Sequence, residues 1–164
     1  MSKTVAGTMQ VKEVAQVLNN VGAGLGTQTF INANAATLAL KAEDSGKTIL
    51  LNRAAGCDVT LPAAAEGLKY KFLIIASVTS NDYSVTAAAA TDLFYGLITN
   101  IDTDNTNALA FYAPDGSDDD AFSLDGSTQG GLIGDEFEVT CIGPAKWWFH
   151  GTLRGTGTVA TPFA

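Results

Sequence analysis

Residues 45–77, Ser45-Gly-Lys-Thr-Ile-Leu-Leu-Asn-Arg-Ala-Ala-Gly-Cys-Asp-Val-Thr-Leu-Pro-Ala-Ala-Ala-Glu-Gly-Leu-Lys-Tyr-Lys-Phe-Leu-Ile-Ile-Ala-Ser77, decide the fold class. Three strand-like runs follow one another here, each cut off by turn chemistry. Thr48 to Arg53 is rich in branched and aliphatic residues and ends at Ala54-Ala55-Gly56. Asp58 to Leu61 is short and is closed by Pro62, which has no amide hydrogen to give a ladder. Lys69 to Ile75 alternates, with Tyr70, Phe72 and Ile74 on one face and Lys69, Lys71 and Leu73 on the other. Period-two patterning in runs of this length predicts half-buried strands.

The pattern continues in both directions. Upstream, Leu38 and Leu40 alternate with Thr37, Ala39 and Lys41 before the turn Asp44-Ser45-Gly46. Downstream, strands are expected around Tyr83 and Val85, over Leu93 to Ile101 split by Gly96, and over Ala108 to Tyr112, which Pro114-Asp115-Gly116 closes. Asp115 to Asp125 reads as the longest polar loop, with Asp118-Asp119-Asp120 at its tip. Glu136 to Ile142 and Lys146 to Leu153 read as a hairpin turned at Gly143-Pro144. About eight to ten short strands at such spacing predict an all-β domain, a β-sandwich or barrel-like fold, with an extended N-terminal arm. No repeat of fixed period is visible. The expected division is an arm or linker over 1–35, a β domain over 36–155 and a tail over 156–164.

The chain of 164 residues is low in charge, 16% against about 25% for an average globular protein. Ala, Gly, Thr, Asn and Ser fill the gap and leave a neutral surface of low side-chain entropy, suited to packing against copies of itself or a larger assembly. Its net charge of −8 is uneven: seven basic residues face five acidic ones up to Lys71, and two face twelve beyond it. That split fits an acidic outward half and a near-neutral attaching half; a general solubility role fits it equally well. Basic clusters able to displace counterions from phosphate are absent, so nucleic-acid binding is not expected. No run approaches the roughly 20 apolar residues of a membrane span, and the first ten residues lack a signal-peptide core, so synthesis in a cytoplasm is expected.

Candidate chemistry is thin. His150 shares a strand face with Trp148, opposite Trp147 and Phe149, and has no partner nearby in sequence. Asp102-Thr103-Asp104-Asn105-Thr106-Asn107 begins like a calcium loop but has Asn107 and Ala113 where an EF-hand needs Gly and Glu. An improvised ion site there, or at Asp118-Asp119-Asp120, is the alternative to a solvated loop tip. Cys57 and Cys141 are read as buried free thiols, with a bridge left open. No nucleophile elbow, phosphate-cradling loop or zinc motif occurs, so no enzyme and no cofactor are expected. Of Trp147 and Trp148, alternation sends one to the core and the other to an edge, an interface or a sugar-stacking platform.

Thr48 to Ile75, with Val59-Thr60-Leu61-Pro62, Gly67 and Tyr70-Lys71-Phe72, resembles the β-module of tailed-bacteriophage capsid decoration (cement) proteins and fibre-associated proteins. Gly134-Asp135-Glu136-Phe137-Glu138-Val139, followed by Trp147-Trp148-Phe149-His150-Gly151, is similar to the last hairpin of that module. The resemblance implies a structural virion protein, made in the host cytoplasm. It would form a trimer, bind the outside of the major capsid protein and stabilise the shell. A receptor- or glycan-binding fibre head is the alternative. Val11, Val14, Val17 and Leu18 in the arm, Trp148 in the domain and Phe163 in the tail are the expected interface residues, with arm and tail ordering on contact.

Overall fold

The computed structural model describes residues 29–104 and 108–164. From its first strand the chain shuttles between two sheets. β1 (Phe30–Ala33), β3 (Thr48–Leu51) and β5 (Lys69–Ile74) lie side by side and parallel in one sheet. β2 (Thr37–Ala39), β4 (Cys57–Thr60) and β6 (Tyr83–Thr86) do the same in the other. Each strand of one sheet is thus the crossover that a parallel pair in the other requires. The result is three turns of a flattened β-coil. Partners in register are 18 and 23 residues apart in the first sheet (Phe30, Thr48, Lys71) and 21 and 26 in the second (Thr37, Asp58, Ser84). The turns grow along the chain, which is why no fixed period shows in the sequence.

The second half widens the sandwich. β7 (Leu93–Asp102), β8 (Leu109–Tyr112), β10 (Glu136–Gly143) and β11 (Lys146–Gly155) join the first sheet, giving the order β1-β3-β5-β10-β11-β7-β8. β9 (Ala121–Leu124) pairs antiparallel with β6 and completes the four-stranded sheet β2-β4-β6-β9. The fold is therefore all-β and sandwich-like, as expected, with eleven strands among the described residues. The expected hairpin is β10–β11, closed over Pro144 and Ala145, the latter at φ 55°.

Between the sheets, alternate residues interlock. Phe149 sits in a cluster with Phe94 at 4.4 Å, Phe122 at 5.1 Å, Phe163 at 5.8 Å and Phe137 at 6.2 Å between ring centroids. Phe72 stacks on Phe137 at 4.6 Å. Two tyrosine hydroxyls tie the coil's turns together. Tyr83 accepts a hydrogen bond from the Arg53 amide (2.8 Å) and donates to the Ala76 carbonyl (2.9 Å). Tyr70 donates to the Lys41 carbonyl (3.0 Å), and burial, with Asp44 nearby, pushes its pKa up to about 12. Both cysteines are buried free thiols.

Four expectations change. The arm boundary at 35 falls too late, because β1 starts at Phe30 and bonds in register to β3. β7 is not split at Gly96; it runs unbroken for ten residues. The Asp115–Asp125 segment is not one loop, since Ala121–Leu124 is a strand with Phe122 and Leu124 fully buried. The tail does not wait on contact with a partner for its order but is bonded into its own domain. Ala164 exchanges two backbone bonds with Ala121, and the Ser123 amide donates to the Pro162 carbonyl, so the tail covers the free edge of β9.

The polar loops owe their shape to carboxylates that serve backbone amides. Asp125 accepts from the amides of Ser127, Thr128 and Gln129 and from two hydroxyls. Burial alone would raise its pKa, but the hydrogen bonds outweigh burial and hold it below the usual carboxylate range. A folded-state pKa below the unfolded value stabilises the fold above the unfolded pKa, and that contribution fades as pH falls through the folded one. Asp125→Asn is thus expected to be less stable than the parent at pH 7, with the gap closing in acid, as urea unfolding across pH would show; a gap independent of pH would contradict this. Asp135, with its side chain fully buried, receives the amides of Gly131 and Leu132 and pairs with Arg154 Nε at 3.0 Å. This pins the β9–β10 connection to β11.

Candidate functional site

Alternation gives the seven-stranded sheet an outer face as well as a core face. With strands about 4.8 Å apart it is about 29 Å wide, and ten-residue strands run about 33 Å along it. Its side chains divide into two zones.

The first zone is a charged strip across β5, β10 and β11. Register places Lys71 opposite Glu138 and Glu138 opposite His150. The ion pairs run diagonally: Lys69 Nζ lies 2.8 Å from Glu138 Oε1, and Lys71 Nζ 2.8 Å from Glu136 Oε2. His150 Nε2 approaches the same Glu138 Oε1 at 3.7 Å. A shallow cleft of about 190 Å³ opens beside Lys69, Lys71 and Glu138, and one of about 80 Å³ between Glu136 and His150. Exposed pairs of this kind contribute about 0–1 kcal/mol each, so the strip neutralises the face rather than holding the fold together. A histidine beside a carboxylate is part of a general-base array, but here Glu138 is already engaged by Lys69. Both thiols of the chain lie buried on the other side of the sheet or across the core.

The second zone is apolar and crosses β11, β7 and β8. Trp148 is paired with Tyr95, Thr99 with Phe111 and Ile101 with Leu109. Diagonal neighbours on a sheet face are within reach of large side chains. Trp148, Leu97, Phe111 and Leu109 consequently form one stripe, exposed by 44%, 47%, 62% and 59%. Each belongs to a side-chain type that is usually buried, and together they make a contiguous patch rather than scattered exposure.

Of the residues expected at an interface, Trp148 lies in this stripe and Trp147, fully buried, faces the core. Phe163 does not serve as an exposed contact: it is 6% exposed and packs against Phe122 at 5.2 Å inside its own domain. The tail that carries it completes the sandwich, and its burial there is the reason. Val11, Val14, Val17 and Leu18 lie outside the described residues. Leu97, Leu109 and Phe111 were not singled out in the sequence; the alternation Tyr95, Leu97, Thr99, Ile101 carried the signal, masked by reading Gly96 as a break.

The acidic loops are occupied by their own backbone. Asp119 Oδ2 accepts from the Asp115 amide at 2.6 Å, and both Asp104 oxygens accept from the Gly157 amide at 3.0 Å. Among the described residues no group of three or more His, Cys, Asp or Glu side chains is placed to hold a metal ion. No described helix is long and apolar enough to cross a membrane. No family model, no curated protein and no solved structure matches the chain.

Proposed function

We propose that this chain is a structural virion protein of the capsid-decoration type, attached to the outside of a major capsid shell by the outer face of its seven-stranded sheet. The observation that carries the reading is the Trp148–Leu97–Phe111–Leu109 stripe on a broad face, with the Lys69–Glu138 and Lys71–Glu136 ion pairs beside it. Interfaces place aromatic and aliphatic anchors at the centre, with polar residues around them. The low charge of the chain and the resemblance of residues 48–75 and 134–151 to phage decoration modules support the same reading. It involves neither catalysis nor cofactor, nucleic acid or membrane; its partner is a protein shell, where repetition of sites adds avidity.

The test is co-sedimentation with capsid shells. Trp148→Glu together with Leu97→Glu is expected to weaken shell binding at least thirtyfold, about 2 kcal/mol, while circular dichroism is unchanged. Undiminished shell binding by the folded double variant would overturn the reading. The fibre-head alternative draws on Trp148 and Tyr95, partners in register on the outer face, as a platform for a sugar ring, and it predicts retention by host cells and not by shells.

A further inference from the structure

Sheet edges are where chains join, and two of the four described edges here are short or covered. β2 has only three residues. The free side of β9 is taken by Pro162–Ala164. β1, Phe30–Ala33, has β3 as its one neighbour among the described strands. β8 is the edge that carries the exposed apolar stripe: it reads Leu109-Ala110-Phe111-Tyr112, and the nearest charges in sequence are Asp104 and Asp115. None of the guards that natural edges use against pairing, a lysine, a proline or a bulge within the strand, is present.

The register says which groups β8 offers. In an antiparallel ladder, bonded and non-bonded pairs alternate. The Asp102 amide donates to the Ala108 carbonyl at 2.9 Å, so the pairs Asn100–Ala110 and Ile98–Tyr112 are the bonded ones that follow. Leu109 and Phe111 therefore turn their amides and carbonyls away from β7. No backbone bond from another described segment reaches them. Two donors and two acceptors stand on this edge, one of each at Leu109 and at Phe111.

We infer that β8 pairs antiparallel with β8 of a second copy of this chain, about a two-fold axis at Ala110. An axis normal to the sheet keeps the outer face outward in both copies. With Ala110 opposite Ala110, Leu109 stands opposite Phe111 of the other copy, and the converse pair forms by symmetry. All four outward groups then find complementary partners, giving four backbone hydrogen bonds. The side chains of Leu109 and Phe111 meet across the junction on the outer face, continuing the apolar stripe from one copy into the next. Four-residue strands bury much less than the roughly 800 Å² per partner of a standard interface, so the dimer is a weak one, forming in the micromolar range. The inference does not rest on shell attachment, and its test needs no shell.

Sedimentation velocity on the full chain from about 1 to about 200 µM is the experiment. A concentration-dependent dimer is expected, and Leu109→Lys with Phe111→Lys should keep the chain monomeric at every concentration with its melting curve retained. A chain that stays monomeric throughout, forms a trimer, or still dimerises with both lysines in place overturns the inference. A covalent trap gives a second reading that does not depend on the lysine variant folding. A non-bonded antiparallel pair has its Cα atoms about 4.5 Å apart, within disulfide range. Ala110→Cys should therefore crosslink two chains on mild oxidation, whereas Tyr112→Cys, four residues out of step with its copy, should not. Absence of a crosslink in the Ala110→Cys variant, or equal crosslinking from both positions, counts against the pairing.

Discussion

Gly96→Val is expected to abolish the folded domain. Gly96 sits mid-strand in β7 at φ 121°, directly in register with Phe149 of β11. A Cβ at this position would lie 1.9 Å from the Phe149 carbonyl oxygen and within 3 Å of its carbonyl carbon and amide nitrogen. The obstruction is backbone, so no rotamer change relieves it; β7 and β11 would have to separate. Those two strands share the longest ladder among the described residues, ten residues each. The φ value adds backbone strain for any residue with a side chain. The combined loss exceeds about 4–5 kcal/mol, comparable with the whole stability of an ordinary domain. Expression of Gly96→Val should give aggregated or unfolded protein, with no cooperative thermal transition. A soluble variant melting within a few degrees of the parent would show that the β7–β11 register is wrong.

The second large effect is expected from Phe149→Ala. Phe149 is fully buried and touches rings from both sheets: Phe94 and Phe137 from its own, and Phe122 from the facing one. It also packs on Phe163 of the tail. Truncating a ring in such a site costs about 3–5 kcal/mol, because the cavity cannot close while four neighbours are held by two sheets and a tail. Urea unfolding should show the midpoint falling sharply with the slope retained. One residue earlier on the same strand, Trp148→Ala removes a larger side chain from the solvent face and should cost far less stability. Equal losses at 148 and 149 would contradict the assignment of the two faces.

The two faces of β11 were legible in the sequence, and so was the strand character of β3, β4, β5, β6 and β10, because period-two alternation is local information. Pairing was not. Residues 48–75 read the same whether their three strands form a meander in one sheet or alternate between two. Only the parallel pairing of β3 with β5 and of β4 with β6, with Tyr83 bonding back to Arg53, settles it as a coil. β9 was hidden by its neighbours: three aspartates precede it, yet Asp119 is itself folded inward onto the Asp115 amide. Phe163 could not be placed because its partners, Phe122 and Phe149, are distant in the chain. The apolar stripe needed the register of β7 with both neighbours before Trp148, Leu97, Phe111 and Leu109 became one surface.

The proposed attachment has a definite orientation: the outer face of the seven-stranded sheet against the shell, and the four-stranded sheet away from it. Cryo-electron microscopy of capsid shells mixed with this chain tests it most directly. Density for the domain is expected on the capsid exterior, with Trp148, Leu97 and Phe111 at the contact with the major capsid protein. A chain absent from the shell, or one seated on it through the four-stranded sheet, would contradict it.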